Sequence, residues 1–201
     1  SEFFLRTISL KFKLYKIIKL YWMEKSLLYD PTIQSLGNNA YMEGYFQSEL
    51  YFLNIRKILL NDFLIRGNVS EYARLMKEKV LEKKVSISLH LRRGDYILDK
   101  KTNSVHGVCS LNYYKKAMNL LNKKFKNVNY FVFSDDMLWA KNNLEIENVT
   151  YVEHCSIPHE DIYLMSLCDH NIIANSSFSW WAAWLNENYN KVVISPKKWF
   201  K

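Results

Sequence analysis

The chain has 201 residues, 49% of them hydrophobic, which is enough for one or two globular domains with a real core. Its excess of eight positive charges admits nucleic acid, an anionic membrane surface or a phosphorylated ligand as partner. Cys109, Cys155 and Cys168 are far apart and form no CxxC pair, which argues against a disulfide framework and a thiolate zinc site and fits a reducing compartment.

From the amino end, SLKFKLYKIIKLYW places Leu10, Leu14, Ile17 and Tyr21 at helical spacing, while Lys11, Lys13, Lys16 and Lys19 interrupt any apolar run. A helix that spans a bilayer needs ~20 mostly apolar residues. The segment is therefore expected as a packed helix with a solvated lysine face, or as a helix lying on an anionic membrane. Residues 45–82 are expected to be mainly helical, ending in a helix capped by Ser70 that turns Tyr72, Leu75, Met76 and Val80 inward.

Beyond Val85, strands and helices alternate. Residues 85–91 set Val85, Ile87, Leu89 and Leu91 against Ser86, Ser88 and His90, the period of a half-buried strand. Further strands are predicted over 128–133, 149–152, 171–174 and 191–195, with helices near 111–125, from Ser134-Asp135-Asp136 onward, over 161–170 and over 180–187. This order predicts the α/β class, a parallel sheet wound on both faces. The domain boundaries expected are 1–84, an incomplete and mainly helical part, and 85–201, the Rossmann-like sheet domain. No repeat, low-complexity run or Pro/Gly/Ser linker interrupts the chain. No segment resembling a signal peptide precedes the sequons at Asn68, Asn148 and Asn175, which are read as chance.

Ligands of such sheets bind beyond the carboxyl ends of the strands, and there the polar clusters fall: His90, Arg92, Arg93 and Asp95 after one strand, Ser134, Asp135 and Asp136 after another, and Asn175, Ser176, Ser177 and Ser179 after a third. Paired guanidiniums suit phosphate, because the planar fork binds it bidentately and keeps its charge. A helix opening at the serines would add free amides and a positive dipole end. Taken singly, an ordinary salt bridge explains the arginines and N-capping explains the serines and aspartates; their shared position favours a diphosphate cradle. Asp135-Asp136 lacks the DxD spacing of a metal pair, and Pro158 breaks any helix that would align His154 with His159, so no metal site is expected. The Arg93-Gly94-Asp95 triplet is discounted as an adhesion motif. Trp180, Trp181 and Trp184 are expected to pack in the core.

HLRRGDY (90–96), HGVCSLNYY (106–114), FVFSDD (131–136) and DIYLMSLCDHNIIANSSFSWWAAWLN (161–186), with YMEGYFQSELYF (41–52) upstream, together resemble the bacterial family 11 glycosyltransferases, the α-1,2-fucosyltransferases. The resemblance implies a GT-B architecture, GDP-β-L-fucose as donor, no cofactor or required metal, and inversion to an α-1,2-linked fucose on a galactoside-type oligosaccharide or lipid-linked glycan. The reducing compartment that the cysteines suggest is taken as the cytoplasm, at the inner face of the membrane if the amino-terminal helix binds there. The family's opening GGLGNQMFQ segment is not found here, so the chain is expected to be a fragment. Arg92 is expected to lead at the diphosphate, with Arg93 and Ser177 beside it. His90 and Asp135 or Asp136 are expected to face guanine and ribose, by similarity to α-1,6-fucosyltransferases. Asp95 and His106 are the candidates for the base that deprotonates the acceptor. A basic nucleic-acid-binding module is the rival class, but its stripe of basic residues interleaved with exposed aromatics is missing; a non-catalytic remnant that binds nucleotide is the third.

Overall fold

The structure, a computed structural model, describes residues 21–153 and 157–200. The chain divides into two compact units, Ser1–Leu64 and Ile65–Lys201.

In the first unit, β1 (Tyr21–Met23) pairs in parallel with β2 (Tyr41–Glu43), with the rings of Tyr21 and Tyr41 stacked at 5.5 Å. One 3-10 turn, Pro31–Ser35, lies between the two strands, and two more, Glu49–Tyr51 and Leu53–Ile55, follow them and lead into α1 (Arg56–Asp62). The expectation of a mainly helical stretch from residue 45 is thus met only in short pieces. None of this unit's described residues is buried, and without a core to back them turns of low propensity do not merge into a long helix. The amphipathic segment foreseen near the amino end lies outside the described residues, apart from Tyr21 and Trp22, which belong to β1.

The second unit begins earlier than the sequence implied, because α2 (Glu71–Leu81) packs within it. Ala73, Met76 and Val80 of α2 join Phe131, Phe133, Leu164 and Met165 in one core cluster. Leu75, expected inward, is exposed and Ala73 takes that side instead. Ser70 caps α2 through Ala73 N–H at 3.1 Å. It also donates its own N–H and hydroxyl to the Glu160 carboxylate at 2.6 and 2.7 Å.

Its sheet contains β3 (Val85–Leu91), β4 (Val128–Ser134), β5 (Val149–Tyr151), β6 (His170–Ile172) and β7 (Val193–Ile194), all parallel, in the spatial order β5-β4-β3-β6-β7. Counted within the unit this is 3-2-1-4-5, the order of a Rossmann-like half, which reverses direction between its first and fourth strands. On one face α5 (Leu111–Lys124) and α6 (Met137–Asn143) cover Ile87, Leu89, Leu91, Tyr130 and Val132. On the other face lie α2, α7 (Pro158–Leu167) and α8 (Ser177–Leu185). Two short helices, α3 (Gly94–Leu98) and α4 (Lys100–Val105), fill the connection after β3; no sequence signal announced them.

Because helices cover both faces, β3 is not half-buried: Ser86 through Leu91 are all buried. Its polar side is satisfied from afar. Asp169 accepts from the Ser86 N–H and hydroxyl at 2.8 and 2.9 Å, Asn171 donates to Ser88 Oγ at 2.7 Å, and Asn186 donates to Asn171 Oδ1 at 2.8 Å. Most buried polar groups in proteins are paired in this way. Several boundaries shift by a few residues. α7 starts at Pro158, whose fixed φ and missing donor suit the first helical position, and it ends before Cys168 so that β6 opens at His170. α8 starts at Ser177 rather than 180, and Lys191 Nζ closes its other end by donating to Ala183 and Asn186 carbonyls at 2.8 and 2.6 Å. Among the described residues no helix is long and apolar enough to cross a membrane.

Candidate functional site

β3 and β6 pair with Ile87 opposite His170 and Leu89 opposite Ile172. That pairing ends at Leu89 and Ile172, three residues before Arg92 and Asn175. Two contacts tie the ends together: Tyr96 Oη donates to the Asn175 carbonyl at 3.2 Å, and the His90 ring lies 5.6 Å from that of Phe178 in the first turn of α8. The segment that bears the arginine pair is therefore tied to the start of α8 where the strand order reverses.

Each guanidinium is held in place. Arg92 bonds Asp95 at 2.9 Å and Asp135 at 3.2 Å and lies over the Tyr96 ring, centroid 5.6 Å away. Arg93 reaches Asp136 through Nε at 3.3 Å and sits 3.6 Å from the centroid of the Trp139 ring. Arg93 N–H donates to Asp135 Oδ1 at 2.8 Å, and Asp136 caps α6 by accepting from Trp139 N–H at 3.1 Å. A Cβ at Gly94 would stand 3.0 Å from Asp135 Oδ2, so that carboxylate would have to give by a few tenths of an ångström. The side chains of Arg92 and Arg93 are 34% and 16% exposed, so each ion pair is worth about 0–1 kcal/mol, and their value is orientation. A guanidinium has five N–H donors, and neither arginine spends them all on these carboxylates. The three carboxylates outnumber the two guanidiniums, leaving the cluster with one formal negative charge.

The remaining candidates divide. Ser176 is the N-cap residue of α8 but its side chain caps nothing, and Ser177 is exposed, so the helix presents amide donors at its first turn. Asp135 and Asp136, expected to face the nucleotide, instead hold the arginines. His90, expected at guanine, is only 4% exposed and lies behind Phe178. Burial, reinforced by the Arg92 charge, lowers its pKa to about 3, and its Nδ1 has no partner among the described residues. Asn175 is buried and clasps backbone: its amide donates to the carbonyls of His106, Gly107 and Trp199 at 2.9, 3.3 and 3.3 Å. It shapes the crevice more than it faces a ligand. Asp95, 53% exposed, is the loosest carboxylate of the cluster. The His106 ring lies between those of Tyr96 and Phe200, at 5.0 and 5.3 Å, with Nδ1 buried and unpartnered among the described residues.

Tyr96 and Trp139 were missed by sequence reasoning. Each is a single aromatic on a short helix, and only the fold reveals that it supports an arginine. Among the described residues no group of three or more His, Cys, Asp or Glu side chains is arranged to hold a metal ion.

A family model described as "Glycosyl transferase family 11" matches residues 1–201. The O-antigen biosynthesis glycosyltransferase WbnK of Escherichia coli is 37% identical over 169 residues, covering 81% of this chain and 56% of that protein. An alpha-1,2-colitosyltransferase of Escherichia coli is 36% identical over 172 residues, covering 83% and 58%. The galactoside 2-alpha-L-fucosyltransferase Sec1 of Mus musculus is 26% identical over 174 residues, covering 82% and 45%. The chain spans little more than half the length of the two bacterial relatives.

Proposed function

The chain belongs to glycosyl transferase family 11, and from that premise we propose that its second unit holds the GDP of a GDP-sugar while an L-fucose-type sugar passes, with inversion, to the 2-hydroxyl of a galactoside glycan. The relatives' names support the linkage and the sugar class. Colitose is L-fucose without its 3-hydroxyl, so both sugars would offer the same anomeric carbon and the same leaving group. GDP-β-L-fucose is the donor we favour, and a polysaccharide of the O-antigen kind the acceptor, in keeping with the bacterial relative at 37% identity.

One observation carries the reading: at the reversal of a 3-2-1-4-5 parallel sheet, the segment that bears the two arginines is tied to the start of α8, by Tyr96 at the Asn175 carbonyl and by His90 against Phe178. Transfer requires GDP to leave an oxocarbenium-like centre, and negative charge grows on the diphosphate in that step. Donors fixed beforehand around it lower the barrier more than they tighten the ground state. Arg92 leads, Arg93 is braced by Trp139, and the amides at Ser177 and Phe178 complete the cradle. In this reading the arginine and amide donors take the place of a divalent cation, and Asp135 and Asp136, the pair a cation would use, are engaged by arginines. As diphosphate enters, Asp95 releases Arg92 and turns toward solvent, which lessens the repulsion that the cluster's one excess negative charge presents to the ligand. Asp95, freed and exposed, or His106 through Nε2 then accepts the acceptor's proton.

The test is calorimetric titration of the chain with GDP in the presence of EDTA, repeated with ADP and with Arg92→Ala. GDP should bind without metal and better than ADP, and Arg92→Ala should bind at least tenfold more weakly, a loss of about 1.4 kcal/mol. Equal affinity in the variant would refute the assignment. Binding without transfer from GDP-fucose to a β-galactoside would mean that this chain holds the nucleotide but lacks the rest of the catalytic apparatus.

A further inference from the structure

The second unit carries another recess, at the other end of its sheet. It is a cleft of about 760 Å³ between α5, the amino end of β4 and the segment 145–148 that leads into β5. Val128 lines it, whereas Asp135 follows the far end of the same strand, so the two places lie about 20 Å apart at ~3.3 Å per residue.

The chemistry of the cleft differs from that of the arginine site. Four of its side chains are amides: Asn119 and Asn122 from α5, and Asn127 and Asn148 from the turns before β4 and β5. The two turn residues hold left-handed backbone, φ 57° and 54°, a conformation asparagine tolerates better than other side chains with a Cβ. Asn122 Oδ1 accepts from Tyr130 Oη at 2.9 Å, which fixes that amide with its N–H groups as the remaining donors. Lys115 and Lys126 are matched by Glu145 and Glu147, so the charges lining the cleft cancel. The carboxyl end of α5, at Lys124, adjoins this recess, and the partial negative charge of a helix carboxyl end opposes phosphate or carboxylate. Phe125, Met118 and Val128 supply an apolar floor.

We propose that this cleft is a second saccharide site, binding a neutral stretch of glycan away from the transfer end. Sugar hydroxyls donate and accept at once, which side-chain amides and carboxylates match. The C–H face of a pyranose suits an aromatic and aliphatic floor, and the volume is in the range that encloses a ligand of several rings. The inference rests on the proposal that the protein works on a glycan: a repeating chain anchored here would return to the transfer end at raised effective concentration.

The experiment follows backbone and side-chain amide signals by ¹⁵N NMR while lacto-N-tetraose, a neutral galactoside tetrasaccharide, is titrated to about 20 mM, a range that captures millimolar dissociation constants. Signals of Asn119 and Asn122 should shift saturably, with and without GDP. The double variant Asn119→Ala/Glu147→Ala, both exposed positions, should weaken the shift at least fivefold and leave GDP affinity unchanged. Absence of shifts at the cleft, shifts confined to residues 92–96 and 176–179, or stronger response to inorganic phosphate would each overturn the proposal. Cleft shifts that persist in a protein found not to bind GDP would leave this site standing and remove the nucleotide reading alone.

Discussion

His90 offers a test of the buried site that needs no substrate. Burial first, and the Arg92 charge second, lower its folded pKa to about 3 from an ordinary value of 6.5. The native imidazole is therefore neutral, and as pH falls the unfolded chain takes up the proton first. Stability from this residue is complete above the unfolded value and is lost progressively as pH drops through 6.5 toward about 3. At pH 5 the unfolded state has gained one and a half pH units of proton affinity, a destabilisation of about 2 kcal/mol at 1.36 kcal/mol per unit. His90→Phe keeps a ring beside Phe178 and removes the titration. Urea unfolding of both proteins at pH 7.5 and pH 5.0 should show their stability difference moving by about 2 kcal/mol in favour of the variant at the lower pH. Because other titrating groups are shared, they cancel in that comparison. A change below about 0.5 kcal/mol would mean that His90 titrates normally in the folded protein and that the closed packing behind Phe178 is wrong.

Trp139→Ala removes the ring beneath Arg93 and should weaken GDP binding by about 0.5–2 kcal/mol in calorimetry while leaving α6 formed by circular dichroism. Asp95→Asn should tighten GDP binding if Asp95 only competes with diphosphate for Arg92, and a concurrent loss of transfer to a β-galactoside would identify it as the base. Glu160→Gln should cost about 1–3 kcal/mol in thermal unfolding, because the Ser70 N–H and hydroxyl both donate to a carboxylate that is 1% exposed. The hydrogen bonds from Ser70 hold that carboxyl below its ordinary value of 4.5, so its contribution persists above this pH and fades as pH falls through the lowered value.

Much of the second unit could be read from its residues, because strand alternation and helix periodicity are local. Val85–Leu91 and Val128–Ser134 fall where the pattern placed them, and the arginines follow the first strand as expected. The errors came from partners distant in sequence. Ser86 and Ser88 looked like the open side of a half-buried strand, since polarity alone does not reveal that Asp169, Asn171 and Asn186 wait some eighty to a hundred residues later. Pro158 reads as a helix breaker or as a first helical residue depending on what precedes it, and the start of α7 settles on the second. The bonds of Asp135 and Asp136 to the arginines were not legible, because a carboxylate at a strand end can serve a ligand or an arginine equally well. In the first unit, short parallel strands and 3-10 turns carry too few residues to set up a period at all.

Hydrogen–deuterium exchange of the chain with and without GDP, in EDTA, addresses most directly whether one diphosphate is gripped from both sides. The backbone amides of residues 92–98 and of residues 176–180 should gain protection together, at the same GDP concentration, and lose that gain together in Arg92→Ala. Protection of one segment without the other, while GDP is bound, would contradict a shared cradle.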